Sequence, residues 1–228
     1  MNMRQGLQQR LPSILLTPNA LAWSVFLTLL VHAAGAWGML VVDRDLFVAF
    51  TPLNLALMFL LVLWNERTDR NAFFQLFLAV FSLGWFAEII GVNTGWLFGE
   101  YQYGSVLGEG LWGVPFLIGV NWFTVVYCSY MLSQWACLQF NWSNLIRVPL
   151  SAMIATVFDW IMEPVAVELG FWSWAETEIP LYNYISWYLI SLVANLIIDR
   201  TAGSRINYFA PLMLVVQALF FVALRILL

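Results

Sequence analysis

Seven apolar runs, at residues 21–41, 46–64, 73–92, 114–140, 145–167, 181–198 and 206–227, set the first limit on what this chain can fold into. Each is close to the ~20 residues that a helix needs to cross ~30 Å of hydrocarbon. Only 10% of the 228 residues are charged and 62% are hydrophobic, whereas a soluble domain carries about 25% charged residues. So few polar groups cannot cover a water-facing surface. The expected fold is all-α: a single polytopic membrane domain over residues 1–228 with seven transmembrane helices.

Short polar segments at 43–45, 65–71, 141–144 and 199–205 separate the runs, and longer connections occupy 93–113 and 168–180. There is no internal repeat, low-complexity stretch or soluble domain. The first run has a second reading as a secretory signal, with Arg4 and Arg10 ahead of it and Ala34-Gly35-Ala36 near its end. Its ~21 apolar residues exceed the usual 7–15 of such a signal, so it is expected to stay as a span. Arginine placement orients the chain by the positive-inside rule. A cytoplasmic N-terminus puts Arg4, Arg10, Arg67, Arg70, Arg147, Arg200 and Arg205 inside, and only Arg44 and Arg225 outside. Both long connections then lie on the outer face of what is expected to be the cell (inner) membrane.

All nine basic residues are Arg. Without a lysine amine the chain cannot form a retinal Schiff base, which excludes a rhodopsin-like pigment. The net charge of −4 and the lack of a basic tract argue against nucleic acid as a partner. Cys128 and Cys137 are nine positions apart in one apolar run, about 13 Å along a helix, and read as packing residues. With His32 the only histidine, there is no metal-ligand pattern.

Ionisable groups inside a membrane are costly and mark candidate functional sites. Three carboxyls fall within the runs: Glu88 in the third, and Asp159 and Glu163 in the fifth. Asp159 and Glu163 are four residues apart and share a helix face. All three map to the outer half of the membrane, as do His32, Asn54, Asn121 and Asn183, which suggests one polar pocket opening outward. Plainer readings exist. Glu163 precedes Pro164 near a helix end and is also compatible with an interfacial position, His32 with a hydrogen-bonded core position, and Asn54 and Asn121 with interhelical hydrogen bonding. Gly91 and Gly95 follow Glu88 at a small-xxx-small spacing that suits close helix packing. Trp96, Tyr101, Tyr103, Trp112, Trp172, Trp174, Tyr182 and Tyr184 fall where an interfacial aromatic belt is expected. Trp85, Trp122, Trp160 and Trp187 lie inside runs beside the polar residues, and ring faces attract positive charge. Acids beside electron-rich rings, with no nucleotide loop or nucleophile pattern, point to cofactor-independent proton chemistry on an apolar molecule. Protonating an alkene makes a carbocation, which water traps as an alcohol or an internal double bond closes into a ring.

Four blocks carry a family resemblance: EIIGVNTGWLFGEYQYG from Glu88, GVPFLIGVNW from Gly113, DWIMEPVAVELGFWSW from Asp159 and IPLYNYISW from Ile179. In this order they resemble the integral-membrane carotenoid 1′,2′-hydratases, which include the γ-carotene and bisanhydrobacterioruberin hydratases. The resemblance runs from about Trp37 to Leu224. It implies addition of water, without a cofactor, to the terminal 1′,2′ double bond of an acyclic carotenoid end of the lycopene or γ-carotene type, leaving a tertiary hydroxyl. It also implies a downstream carotenoid glycosyltransferase as a pathway partner. From their positions here, Asp159 is expected to protonate carbon 2′ and Glu163 or Glu88 to deprotonate the attacking water. Asn121 would orient that water, and Trp160 and Trp187 would face the cation. Trp122, Trp85, Asn54, His32 and Asn183 complete the expected substrate site.

A membrane lycopene cyclase would share the protonation step but exclude water. An aspartate-rich prenyltransferase needs Mg²⁺ and cationic partners, which fits poorly with acids that have few arginines nearby. A transporter or a non-enzymatic carotenoid-binding protein remains the alternative from another class, although paired inverted repeats are missing.

Overall fold

The structure, a computed structural model, describes residues 18–176, 178–201 and 206–228. Arg4, Arg10 and Arg205, which contribute to the expected orientation, lie outside the described residues. Its helices are α1 (Pro18–Trp37), α2 (Arg44–Ala49), α3 (Thr51–Trp64), α4 (Arg70–Thr94), α5 (Phe116–Gln139), α6 (Arg147–Glu168), α7 (Leu181–Thr201) and α8 (Phe209–Leu227). A π-helical turn, Gly38–Val42, extends α1. The strands are short: β1 (Tyr101–Tyr103), β2 (Gly110–Leu111), β3 (Val114–Pro115) and β4 (Trp172–Trp174).

Among the described residues six helices are long and apolar enough to cross a membrane, and the chain is an all-α, multi-pass membrane protein. The expected second span, 46–64, differs from a single helix: it breaks at Phe50 into α2 and α3. Pro52 has no N–H to offer the carbonyl of Val48, so a continuous helix loses a bond there. The 14 residues of α3 rise only about 21 Å, less than the ~30 Å of hydrocarbon. Elsewhere the polar punctuation caps helices. Asp69 accepts the N–H groups of Asn71 and Ala72 at the start of α4, and Asp43 accepts that of Leu46 in α2.

The central element is α5, which is buried nearly all round and packs against α3, α4, α6, α7 and α8. Trp122, Phe123, Tyr127, Cys128 and Tyr130 on it are fully enclosed. The surrounding helices turn large apolar side chains outward, among them Phe26, Leu53, Phe86 and Leu189, as helices in contact with lipid tails do. At one end of the bundle Asp199 accepts Tyr130 Oη at 2.9 Å and Arg147 Nε at 2.7 Å, and Glu66 accepts the Tyr127 hydroxyl. At the other end the two long connections fold over the helices.

Gly84 on α4 lets α5 approach closely. A Cβ at this position would lie 2.4 Å from Trp122 Cγ. Gly84→Ala is therefore expected to displace the Trp122 ring and to lower stability by about 1–3 kcal/mol, the usual cost of overpacking a core. Gly35→Ala, whose Cβ would meet only Phe220 at 3.9 Å, should be neutral or stabilising by up to about 1 kcal/mol. Thermal unfolding of the detergent-solubilised proteins compares the two.

Candidate active site

The two long connections meet as an antiparallel ribbon in which Tyr101 pairs with Trp174, Gln102 with Ser173 and Tyr103 with Trp172. Side chains alternate across a strand. Gln102 and Ser173 are exposed, while the four aromatic residues share the other face, which lies over the helix ends. The cross-strand ring centroids are 5.1 Å apart for Tyr101 and Trp174 and 5.9 Å for Tyr103 and Trp172. Backbone bonds from Gly104 N to Phe171 O at 2.9 Å and from Ala175 N to Glu100 O at 2.8 Å flank the ribbon. Gly104 is required at this crossing, since a Cβ would stand 2.3 Å from the carbonyl oxygen of Gly170.

Every polar tip on the inward face of the ribbon reaches a carboxyl. Glu88 Oε2 accepts the hydroxyls of Tyr101 and Tyr103, the latter at 2.7 Å, and Oε1 accepts Trp122 Nε1 at 2.8 Å. Glu163 Oε1 accepts Trp172 Nε1 at 2.7 Å and Trp174 Nε1 at 2.6 Å. An indole N–H only donates, so Glu163 is held as an acceptor. Burial, and then the neighbouring Glu88, push the Tyr101 and Tyr103 hydroxyls well above the ordinary phenol range. Both phenols thus remain O–H donors. Asp159, only 1% exposed, has a single long contact, with Asn183 Nδ2 at 3.3 Å from its Oδ2.

Glu88, Asp159, Glu163, Asn121, Trp122, Asn183 and Trp187 line one narrow cleft of about 30 Å³, room for a water molecule among many polar groups. A larger chamber of about 610 Å³ adjoins it, and Ile118, Asn121, Met162 and Trp172 form walls of both. The chamber is predominantly apolar, with Phe47, Phe158, Phe220 and Phe221 in its wall, and lies between α1, α2, α3, α5, α6 and α8.

The structure thus brings together five of the seven polar residues marked in the sequence. His32 and Asn54 line the large chamber instead of the acid cleft. Trp122 and Trp187 stack on each other, centroids 3.8 Å apart at 12°, so each presents at most one open face. Two tryptophans differ from expectation. Trp160 is 50% exposed with the Arg225 guanidinium 5.1 Å over its ring, because the next position from Asp159 along a helix points about 100° away. Trp85 packs between Phe81 and Phe116, off the cleft. The glycines after Glu88 also serve another purpose than helix packing. A Cβ at Gly91 would collide with Phe98 at 2.5 Å and the Tyr101 hydroxyl at 2.9 Å, and Gly95, with φ +69°, ends α4 in the left-handed region. The residues that sequence reasoning missed are Tyr101, Tyr103, Trp172 and Trp174, assigned there to an interfacial belt. Their alternation, Tyr-Gln-Tyr and Trp-Ser-Trp, is the strand signal that distinguishes them.

Buried acids thus lie under an aromatic lid and open to an apolar chamber within a membrane bundle. The chain belongs to the carotenoid biosynthesis protein family, whose profile matches residues 46–227. It is similar to the bisanhydrobacterioruberin hydratase of Haloarcula japonica, with 38% identity over 138 residues. That match covers 58% of this chain and 46% of the relative, so it spans less than half of the relative's length. No solved structure matches the chain.

Phenylalanine at both Tyr101 and Tyr103 removes two of the three donors to Glu88. Leaving a buried acceptor unpaired costs about 1–3 kcal/mol, so the double variant should unfold at a clearly lower temperature in detergent. Gln102→Ala, on the exposed face between them, should stay within about 0.5 kcal/mol of the parent.

Proposed function

We propose that the protein adds water to the terminal 1′,2′ double bond of an acyclic carotenoid end, giving a tertiary 1′-hydroxyl. The observation that carries this reading is the convergence of Glu88, Asp159 and Glu163 on a water-sized cleft that shares walls with an apolar chamber. The name of the Haloarcula relative supports hydration over other fates of a carbocation.

In this reading the carotenoid end lies in the chamber with its last double bond against the cleft, and the remaining polyene extends into lipid. Asp159 is the acid, since its carboxyl has the fewest hydrogen-bond donors of the three. Its proton forms the new C–H bond at carbon 2′ using the π electrons, which leaves a tertiary cation at carbon 1′. The ring faces of Trp122 and Trp187 left open by their stacking stabilise positive charge beside the cleft. Water held near Asn121 forms the C–O bond at carbon 1′. The resulting oxonium gives its extra proton to Glu163, or to Glu88. Glu163 is one helical turn from Asp159, so the proton returns to Asp159 through the cleft and resets the site. The net change is alkene plus water to alcohol, with no redox partner. General acid catalysis by such a group contributes about 10²–10⁴-fold. We place the protein in the cell (inner) membrane, upstream of a transferase that consumes a tertiary alcohol, such as a glycosyltransferase.

Co-expression in a host that makes lycopene or γ-carotene, followed by mass analysis of the pigments, tests the reading. Hydration adds one water to the pigment mass. A cyclase product has unchanged mass and a binding protein leaves the pigment as it was. Asp159→Asn is expected to lower product formation by about 10²–10⁴-fold with the protein still present in the membrane. Full activity in both Asp159→Asn and Glu163→Gln contradicts the assignment.

A further inference from the structure

The large chamber is open on one side of the bundle. Among the described residues that line it, the exposed ones are Leu30 and Ala34 of α1, Phe50 at the α2–α3 joint and Leu53 of α3. Leu30, Phe50 and Leu53 are 50%, 51% and 66% exposed, whereas Ile118 of α5, Phe158 of α6 and Gln217 of α8 elsewhere on the wall are buried. Leu30 and Ala34 are four positions apart on one face of α1, and Phe50 precedes Leu53 by three, so each pair forms one edge of the opening. Two ties frame it. Toward one end Asn65 Nδ2 donates to Ser24 Oγ at 2.7 Å and Thr28 Oγ1 to Met58 Sδ at 3.7 Å, which holds α1 to α3. Toward the other the Phe47 ring fills the space beside Gly38, where a Cβ would collide with it, which holds the π-helical turn to α2. From Thr28 to Gly38 the chain rises about 15 Å, and α1 packs chiefly against α8. The α2–α3 break at Phe50 falls between Phe47 and Met58 in the chain, hence between the same two ties.

Resting on the hydration reading, we propose that this opening is the lateral portal of the site. The substrate's polyene lies between the Leu30–Ala34 edge and the Phe50–Leu53 edge, with its end group in the chamber and its remainder in the bilayer. The chamber's ~610 Å³ falls within the ~300–1,000 Å³ of small-molecule sites, which suits an end group. Conjugation keeps a polyene too stiff to coil into that volume, so the chain has to leave through a wall. The lid is the wrong exit. Its outer face carries Gln102 and Ser173, and a chain emerging there passes from hydrocarbon into water at about 0.8 kcal/mol per CH₂. Through the portal the polyene exchanges one apolar neighbour for another, and neither entry nor release exposes it to water. A lipid acyl tail has the same polarity, but its headgroup ties it to the membrane surface. The portal is set between two ties along the helices and leads inward to Asn121 and Trp172, walls that the chamber shares with the acid cleft. Breaking the second apolar run into α2 and α3 thus holds a gap in the bundle at the place where the substrate crosses it.

The test places a photoreactive diazirine amino acid singly at positions 30, 53 and 189 of the full-length protein in detergent. Leu189 of α7 is exposed to a similar degree but is not part of the chamber wall. Lycopene is added, the sample is irradiated, and the peptides are analysed by mass spectrometry. Adducts of carotenoid mass are expected at positions 30 and 53 and not at 189. Equal labelling at all three positions, adducts of detergent or lipid mass alone at 30 and 53, or no adduct there overturns the proposal. Ala34→Trp and Leu53→Trp narrow the portal from its two edges and are made separately, so that a folding defect in one leaves the other decisive. Each should slow pigment uptake about tenfold, the effect of a barrier raised by ~1.4 kcal/mol, while Leu189→Trp keeps the parent's rate. Uptake at the parent's rate in a folded portal variant overturns the proposal as well. Carotenoid adducts at 30 and 53 without any hydrated product defeat the hydration reading and leave the portal standing, whereas hydration without those adducts defeats the portal alone.

Discussion

Hydrogen bonds from an aromatic ribbon to buried carboxyls are the interaction on which the rest of the site depends. A carboxyl taken out of water without donors costs several kcal/mol. Within the bundle the helices' own N–H groups are committed to their ladders, so donors must come from side chains. Tyr101, Tyr103, Trp172 and Trp174 supply four of them from β1 and β4, and Trp122 supplies a fifth from α5. The ribbon can do this because its strands alternate, so one face carries only donors and the other meets the exterior. The same contacts fix the two long connections as a lid over the end of the bundle. Removing the acids would leave the aromatic donors unpaired, and removing the ribbon would take both of these donors from Glu163 and leave Glu88 with Trp122 alone. Lid and cleft are therefore one structural unit.

The distribution of donors also separates the three acids. Glu88 has three and Glu163 two, whereas Asp159 has one long amide contact. Acids alike in the sequence thus occupy unlike settings. This asymmetry underlies the roles proposed for them, with Asp159 giving a proton and a partner with more hydrogen-bond donors receiving one. In the proposed reaction the chamber contributes the other half, a largely apolar volume next to the cleft that would hold an end group while a cation forms away from bulk water. Rigid packing of α5 against its neighbours, made possible by Gly84, keeps Trp122 in place between Glu88 and Trp187.

Much of this was legible in the sequence, for physical reasons particular to a membrane chain. Long apolar runs can do little but form helices, and a carboxyl such as Asp159 stands out against them because its placement is expensive. The break at Pro52 is hidden from apolar length, which reads straight through a proline in a hydrophobic run. Trp160 follows Asp159 in sequence but points away from it, because neighbouring positions on a helix face different directions. The ribbon was the largest omission. Tyr101 and Trp174 sit where interfacial aromatics are ordinary, and their pairing joins segments far apart in the chain, which periodicity within either segment cannot reveal. Gly91 shows the same limit: its spacing to Gly95 fits helix packing, yet its missing side chain makes room for Phe98 and the Tyr101 hydroxyl.

In the proposed reaction the carboxyl cluster delivers a proton to carbon 2′ and water delivers the oxygen to carbon 1′. Isotope tracing tests both halves in one preparation. Membranes containing the protein are supplied with an acyclic carotenoid in D₂O and, separately, in water enriched in ¹⁸O, and the product is analysed by mass spectrometry and NMR. One non-exchangeable deuterium at carbon 2′ and the heavy oxygen in the tertiary hydroxyl are expected, with both labels missing when Asp159 is replaced by Asn. A product without added oxygen, or one whose oxygen comes from dissolved O₂, would contradict this reaction.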